Sequence, residues 1–273
     1  MFEAFTSTNI NVLVITAVVA GIIGATIQFV VANYLWPNRH KVYTWWFALR
    51  NHKKLGEPCP TDIVLKRQGY ALGYSKDKKC ALWVSYIISK GSIGADVAER
   101  EDDFYPDPEI PEECRVKPED FRNTGYDKGH LAPSAAIDFS HKSNQETFAM
   151  SNIALQHPKL NRQAWGSLEN YARNWAYSKG KLCIIAGPLY DSKQELVNNI
   201  PLPKAFYKVV YSFKYKKSIG FILPNNAVNA SQLWEHAVPV KEIEKATGYR
   251  FFERLGDKAK PIKSTVDAEW WKN

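Results

Sequence analysis

Four side chains between residues 125 and 173 have the types and spacing needed for metal-assisted hydrolysis of a phosphate ester. His130 lies in the segment Gly125–Pro133, and an imidazole whose pKa lies near working pH can act as a general base. Asn161 stands at a helix entrance and offers a neutral oxygen to a hard cation that keeps most of its waters. Glu169 and Arg173 follow four residues apart, so a carboxylate and a guanidinium share one helix face. The set supplies a base, a metal ligand and positive charge to stabilise a phosphorane-like transition state.

Each of these residues also has an ordinary structural interpretation. A lone histidine is more often a core or surface residue, and His141 and His157, which lie outside the motif, are interpreted in that way. Asn161 would cap the following helix. Glu169 and Arg173 would form a surface ion pair worth about a few tenths of a kcal/mol. The tetrapeptide Asp-Lys-Gly-His, interpreted as a tight turn, is weak when it stands alone, so the remaining chain has to decide.

The chain resembles the DNA/RNA non-specific endonuclease family from about Ile63 to Leu255. An ordered set of markers at these spacings is far more specific than one motif. The markers are Trp83-Val84-Ser85-Tyr86; Arg100, Phe104 and Asp107; Asp127-Lys128-Gly129-His130; Ser151, Asn152 and Asn161; Glu169 and Arg173; Gly187-Pro188; Pro203 and Phe206-Tyr207-Lys208; Ile222-Leu223-Pro224-Asn225; and Val240, Ile243, Glu244, Thr247, Gly248, Phe251 and Phe252.

The resemblance implies a role for the central residues. His130 is the general base that takes a proton from the attacking water. Asn161 is the sole direct protein ligand of Mg²⁺, with Mn²⁺ as the alternative cofactor, and Glu169 holds a metal-bound water. Asn152 supports the site. Asp127, or a backbone carbonyl, would fix the tautomer of His130.

Three cationic side chains complete the set. The resemblance implies that Arg100, Lys128 and Arg173 bind the phosphate groups of the nucleic acid. Lys128 departs from the family, which usually has arginine there; the charge is kept, but the bidentate fork of a guanidinium is lost. The implied products carry 5′-phosphate and 3′-hydroxyl ends, the implied substrates are DNA and RNA without sequence preference, and the family often forms homodimers.

The amino-terminal segment predicts a single uncleaved membrane anchor. Val12 to Val31 is a 20-residue apolar run, long enough to cross a bilayer as a helix, and a buried core helix is the structural alternative. No Lys or Arg occurs before Arg39, which argues against a cleaved signal peptide. Because positive residues follow the run, the positive-inside rule predicts a cytoplasmic carboxy-terminal domain, with an outward-facing domain as the alternative.

Four segments are predicted: an anchor (1–36), a basic and aromatic connector (37–60), an endonuclease domain (61–255) and a basic tail (256–273) that is mobile or docked on the surface. Strand and helix patterns alternate without a regular βαβ rhythm. The sequence therefore predicts an α+β domain with a mostly antiparallel sheet flanked by helices, which matches the ββα-metal (His-Me finger) fold of the family. Predicted strands are 69–74, 81–89, 182–186, 205–213 and 218–223; predicted helices are 143–148, 165–179 and 240–247, the last ending at Gly248; 102–119 is predicted to be an acidic loop.

Charge and cysteines constrain the partners only loosely. The formal net charge of +8 suits an anionic partner, either nucleic acid or an acidic membrane surface. Cys183 lies in an apolar run, as a buried thiol would. Cys59, Cys80 and Cys114 flank loops, and one disulfide among them is left open.

The leading hypothesis is a membrane-anchored, metal-dependent, sequence-non-specific endonuclease. Its biological role would be defence against foreign DNA if the domain is cytoplasmic, or degradation or uptake of external DNA if it faces outward. The alternative is a catalytically weak, membrane-tethered nucleic-acid-binding protein, which Lys128 and the basic tail would favour. Metal-dependent cleavage of a plasmid separates these two hypotheses.

Overall fold

The computed structural model of the protein describes residues 7–30, 47, 50–93 and 103–273. The chain divides into two units, Met1–Trp45 and Trp46–Asn273. In the first unit, residues Ser7–Val30 form helix α1, whose side chains from residue 19 to 30 are exposed. Over the described part of the chain, no helix has the length and apolarity that a membrane crossing requires. The anchor over residues 12–31 stays a prediction.

The second unit is built on one antiparallel sheet, as the sequence predicts. Among the described residues it has seven strands in the order β1-β2-β3-β6-β9-β10-β11. These strands are β1 (Ile63–Lys66), β2 (Ala71–Ser75), β3 (Cys80–Ile88), β6 (Leu182–Leu189), β9 (Ala205–Ser212), β10 (Lys217–Pro224) and β11 (Ala237–Val238). The predicted strands over 69–74, 81–89, 182–186, 205–213 and 218–223 therefore agree with the structure to within a few residues.

Both faces of the sheet are covered. Every residue of β6 and β9 is buried, as expected for central strands packed on both sides. One face packs against α4 (Gly166–Ser178). The other packs against α5 (Val240–Thr247), which ends, as predicted, at Gly248 with a left-handed φ of 73° that glycine adopts at no steric cost.

Smaller elements complete the unit. They are α2 (Lys90–Ile93), α3 (His141–Glu146), α6 (Ala259–Ser264) and α7 (Ala268–Lys272), the antiparallel strand pair β4 (Asp127–His130) and β5 (Ile153–Gln156), and the hairpin β7 (Leu196–Val197) with β8 (Ile200–Pro201). The predicted acidic loop contains two short 3₁₀ helices, Glu112–Cys114 and Pro118–Phe121. All four cysteines are free thiols, and Cys183 is fully buried, so the disulfide left open by the sequence is absent.

The basic tail is folded and contributes to the core. Trp271 is 0% exposed, its ring lies 4.8 Å from that of Trp175, and its carbonyl accepts a hydrogen bond of 2.7 Å from Trp175 Nε1. The charged residues around Trp270 and Trp271 predict a mobile or surface-docked tail, whereas Trp271 is part of the core. Burial of an indole removes a large apolar area from water, and this stabilises the tail against α4.

Candidate active site

The Asp127–His130 segment is a strand, whereas the sequence motif was interpreted as a tight turn. Strand β4 pairs antiparallel with β5, with Gly129 opposite Ala154 and His130 opposite Ile153. A Cβ atom on Gly129 would lie 2.3 Å from Gln156 Oε1. Glycine is needed here because the Gln156 side chain crosses the strand, and not because a turn requires a positive φ.

His130 is held by aromatic packing and by its own backbone. Its ring centroid lies 5.4 Å from that of Phe104 and 5.0 Å from that of Phe148, with an edge-on geometry for Phe148. Its carbonyl accepts a 3.1 Å hydrogen bond from Trp165 Nε1. Lys128 lies two residues away on the same strand face, and its Nζ is 5.2 Å from the Phe104 centroid. Both predicted residues therefore border one aromatic ring.

Asn152 fixes the backbone that follows the histidine. It is fully buried; its Oδ1 accepts from Ala132 N at 2.9 Å, and its Nδ2 donates to the carbonyls of Ala132 and Thr147, both at 2.8 Å. These bonds use both ends of the side-chain amide to hold the segment after β4 against the neighbouring loop. This arrangement is what a supporting residue would provide.

Asn161 lies inside a π-helix, Leu160–Trp165, that runs directly into α4. The interpretation of Asn161 as a helix cap was wrong, because Lys159 precedes the helix and has no capping side chain. A π-helix widens one turn, and such turns are frequent at functional sites. The widened turn brings the Asn161 side chain to β4: Asn161 Nδ2 donates to Asp127 Oδ2 at 2.9 Å.

Asp127 accepts from two neighbours in the π-helix. Besides Asn161, it binds the Arg162 guanidinium through two bonds of 2.9 and 2.8 Å. The sequence analysis offers Asp127 or a backbone carbonyl to fix the tautomer of His130, and the structure shows both oxygens of Asp127 engaged with the π-helix. The hydrogen bond to Asp127 uses the amide nitrogen of Asn161, and this points its carbonyl oxygen away from Asp127. The orientation follows from the hydrogen-bond network.

The donor set fits a hard divalent cation that keeps its waters. Within the described ranges, no group of three His, Cys, Asp or Glu side chains could hold a metal. A carbonyl oxygen oriented by a carboxylate is a suitable single ligand for Mg²⁺, which usually retains several waters. Asn161 therefore has the chemistry and orientation expected of the metal-binding residue.

Glu169 is paired with a buried lysine. Its Oε1 lies 3.3 Å from Lys208 Nζ, and the side chains are 16% and 0% exposed. Lys208 Nζ also lies 3.9 Å from the centroid of Trp165. The expected surface ion pair between Glu169 and Arg173 is thus replaced by a buried pair between α4 and β9. Burial raises the pKa of Glu169 and lowers the pKa of Lys208, and the attraction within the pair opposes both shifts.

Lys208 was recognised in the sequence only as a marker, without a role. The available signal was its position: a lysine within the strand β9, whose eight residues are all buried, must find an anionic partner. Sequence spacing could not identify that partner, because Glu169 lies 39 positions away.

The structure describes one of the two arginines predicted to bind phosphate, Arg173, but not Arg100. The Arg173 guanidinium donates a hydrogen bond to Asn170 Oδ1 on its own helix. Its positive charge opposes the rise that burial causes in the pKa of Glu169 and adds to the fall that burial causes in the pKa of Lys208. Arg100 lies outside the described residues. The described contacts thus join β4, the π-helix and α4 into one site with His130, Asn161 and Glu169.

Comparison with known proteins gives the family. Residues 51–258 match the family model for DNA/RNA non-specific endonuclease. A nuclease of Nostoc sp. is 32% identical over 237 residues, covering 79% of this chain and 86% of that protein. Human mitochondrial endonuclease G is 31% identical over 214 residues, covering 72% of each chain. A crystal structure of the EndoG/EndoGI complex contains a similar chain with a TM-score of 0.67 and 26% identity, covering 74% of this chain and 90% of that one.

The chain belongs to the DNA/RNA non-specific endonuclease family. It is therefore a hydrolytic nuclease that acts on nucleic acids, and its mixed fold with an antiparallel sheet is that of endonuclease G. The family consists of divalent-metal-dependent nucleases.

Asp127→Ala tests whether this carboxylate orients the metal-binding amide. The substitution removes the acceptor for Asn161 Nδ2, and we expect the Mg²⁺ concentration for half-maximal cleavage to rise about 10- to 100-fold, as for other residues that orient a ligand. Arg162→Ala is the matched control, since it removes the other partner of Asp127 and keeps its bond to Asn161. Equal Mg²⁺ requirements for the two variants would contradict the orienting role.

Lys208→Met tests the buried pair. Glu169 would lose its counter-charge, and we expect a loss of roughly 3–5 kcal/mol in the free energy of unfolding, measured with urea, because one buried charge is left uncompensated. The double variant Lys208→Met with Glu169→Gln removes both charges and should recover most of the stability while cleavage stays low. If the double variant is no more stable than the single one, the ion pair is not what makes Lys208 necessary.

Proposed function

We propose that the protein is a membrane-anchored, Mg²⁺-dependent, sequence-non-specific endonuclease that cuts DNA and RNA to 5′-phosphate ends in a ββα-metal site. The observation that carries the proposal is the orientation of Asn161 by Asp127 at 2.9 Å, next to the strand that presents His130. A hard oxygen ligand beside a general base is the minimal equipment for hydrolysis of a phosphodiester.

Asn161 Oδ1 would hold the Mg²⁺ directly, and Glu169 would hold it through a water. When bound, the ion supplies Lewis-acid stabilisation of the charge on the phosphate. The Lys208 ammonium holds the Glu169 carboxylate in place at 3.3 Å. Its contact with Trp165 also couples this pair to the backbone carbonyl of His130.

His130 would take the proton of the attacking water as general base. Phe104 and Phe148 restrict its ring, so that the imidazole is presented in one orientation. Lys128 on the same strand face and Arg173 on α4, together with Arg100, would bind the phosphate oxygens and offset the negative charge that develops on them. In this role the three cations would contact phosphate oxygens, which carry no sequence information, and this supports cleavage without sequence preference.

The catalytic assignment is tested with His130→Ala and with EDTA on a plasmid substrate. We expect His130→Ala to lower the cleavage rate by at least about 100-fold, the usual contribution of a general base, with retention of DNA unchanged. EDTA should abolish cleavage and added Mg²⁺ should restore it. His141→Ala, at the exposed first position of α3, is the matched control. Normal turnover by His130→Ala would overturn the assignment.

Residues 1–36 would anchor the chain, with the nuclease domain in the cytoplasm, where defence against foreign DNA is the matching role. The support is the 20-residue apolar run and the positive residues that follow it. A homodimer is the assembly that the family suggests.

Topology is tested by fusing a reporter phosphatase, active only outside the cytoplasm, to Asn273. The cytoplasmic orientation predicts an inactive phosphatase in the membrane fraction. A matched fusion with β-galactosidase, which is active only in the cytoplasm, should give the opposite result. Phosphatase activity would instead support an outward-facing nuclease, and recovery of the fusion in the soluble fraction would contradict the anchor.

A further inference from the structure

One end of the central sheet carries six lysines, Lys54, Lys179, Lys181, Lys214, Lys216 and Lys217, called here the lysine end. The first residue of β6 lies opposite the last residue of β9, and the first residue of β10 lies opposite it as well. The helix α4 ends at the same place, with Ser178 just before Lys179. The turns at this end therefore bring together lysines that are distant in sequence.

Aromatic rings separate these lysines. Lys54 Nζ and Lys181 Nζ both lie 5.3 Å from the Phe213 centroid, and Lys214 Nζ lies 4.8 Å from that of Tyr215. Tyr215 is 42% exposed, and its ring packs 5.1 Å from that of Trp270. The Lys179 and Lys217 ammonium groups lie 4.3 and 4.7 Å from the same Trp270 ring.

The positive charge of the lysine end is largely uncompensated. Of its six lysines, Lys217 alone pairs with a carboxylate of the described residues, Asp267 at 2.7 Å. Elsewhere in the fold, exposed lysines such as Lys245 and Lys260 are paired with acids three residues earlier in the chain. Burial, and then the positive charges of Lys54 and Arg50, lower the pKa of Lys181. Like charges are thus close enough to repel, which is the condition that favours a polyanion as partner.

The helix α4 links the lysine end to the active site. Glu169, Arg173 and Tyr177 follow at intervals of four residues and share one face of the helix, and Tyr177 is 51% exposed. Lys181 follows four residues later. Eight residues separate Arg173 from Lys181, and the helix covers five of them, from Arg173 to Ser178, or about 7.5 Å at the helical rise of 1.5 Å per residue. Lys181 lies beyond the helix end, so a duplex must extend at least roughly two base pairs past Arg173 to reach it.

We propose that the lysine end is a second nucleic-acid-binding surface, which holds the phosphate backbone of a long substrate beyond the carboxy-terminal end of α4. Its exposed lysines would bind the phosphates as point charges; these are Lys54, Lys181, Lys214 and Lys216. Tyr177, Tyr215 and Trp270 would pack against sugars or against bases of single-stranded segments. The proposal rests on the nuclease function. It adds that substrates too short to reach beyond Arg173 are bound more weakly than long ones.

An acidic membrane surface is the other polyanion that lysines and aromatic rings could bind. Nucleic acid is favoured because exposed Tyr177 continues the line from Arg173 towards Lys181, and because nucleic acid is the substrate of this family. The experiment below includes both polyanions.

The test compares two triple variants of the full chain, both carrying His130→Ala. Lys181→Gln, Lys214→Gln and Lys216→Gln neutralise three exposed lysines of the lysine end. Lys241→Gln, Lys245→Gln and Lys258→Gln remove the same charge from exposed positions in and after α5, on the opposite sheet face. Binding in EDTA to a fluorescent duplex of about 40 base pairs, and to a hairpin with a stem of about 6, is measured at several salt concentrations.

The lysine-end variant should bind the long duplex roughly tenfold more weakly than the control at low salt. The slope of its log affinity against log salt concentration should be shallower by about 1–3. Both variants should bind the short hairpin alike. Equal affinities of the two variants for the long duplex would overturn the proposal. If, in that case, the lysine-end variant binds phosphatidylglycerol vesicles more weakly than the control, the surface binds lipid instead of nucleic acid. Cleavage by His130→Ala at the unsubstituted protein's rate once Mg²⁺ is added would refute the catalytic assignment and leave this comparison unaffected.

Discussion

The ion pair between Glu169 and Lys208 is the contact on which the site depends. It joins α4 to the middle of the central sheet, and the lysine is fully buried. Charges in such a place are retained only if each has a partner, so neither residue can change alone. Because Lys208 also packs on Trp165 and Trp165 bonds to the His130 carbonyl, one buried pair links the sheet, the helix that carries Glu169 and the strand that carries His130.

A second constraint acts at the start of the π-helix. Asp127 holds Asn161 and Arg162 together, and the widened turn allows a residue before α4 to reach the strand pair β4–β5. The proposed metal site, with Asn161 as its single protein ligand, has little to fix its geometry except the groups that orient that ligand. The π-helix and Asp127 supply this orientation, and this explains why a wide turn stands where a regular helix would otherwise begin.

Sequence periodicity was sufficient for elements whose residues follow a local pattern. The central strands and α5 are of this kind, and Gly248 ends α5 because only a left-handed residue fits there. Contacts between distant residues could not be predicted: the partner of Lys208, the ring of Phe148 against His130, and burial of Trp271 under α4 all depend on the tertiary fold. Gly129 shows the difference between local and tertiary causes. The sequence indicates that a glycine is required there, but the requirement comes from the Gln156 side chain on the neighbouring strand and not from a turn.

The distribution of charge separates chemistry from binding. Near His130, Asn161 and Glu169, the cations Lys208 and Arg162 are matched by Glu169 and Asp127, so paired charges fix the local geometry there. At the lysine end, positive charge exceeds negative charge, and rings rather than carboxylates lie beside the ammonium groups. Salt screens exposed charges far more than buried pairs. Ionic strength should therefore act on the capture of long nucleic acids at concentrations that leave the catalytic geometry intact.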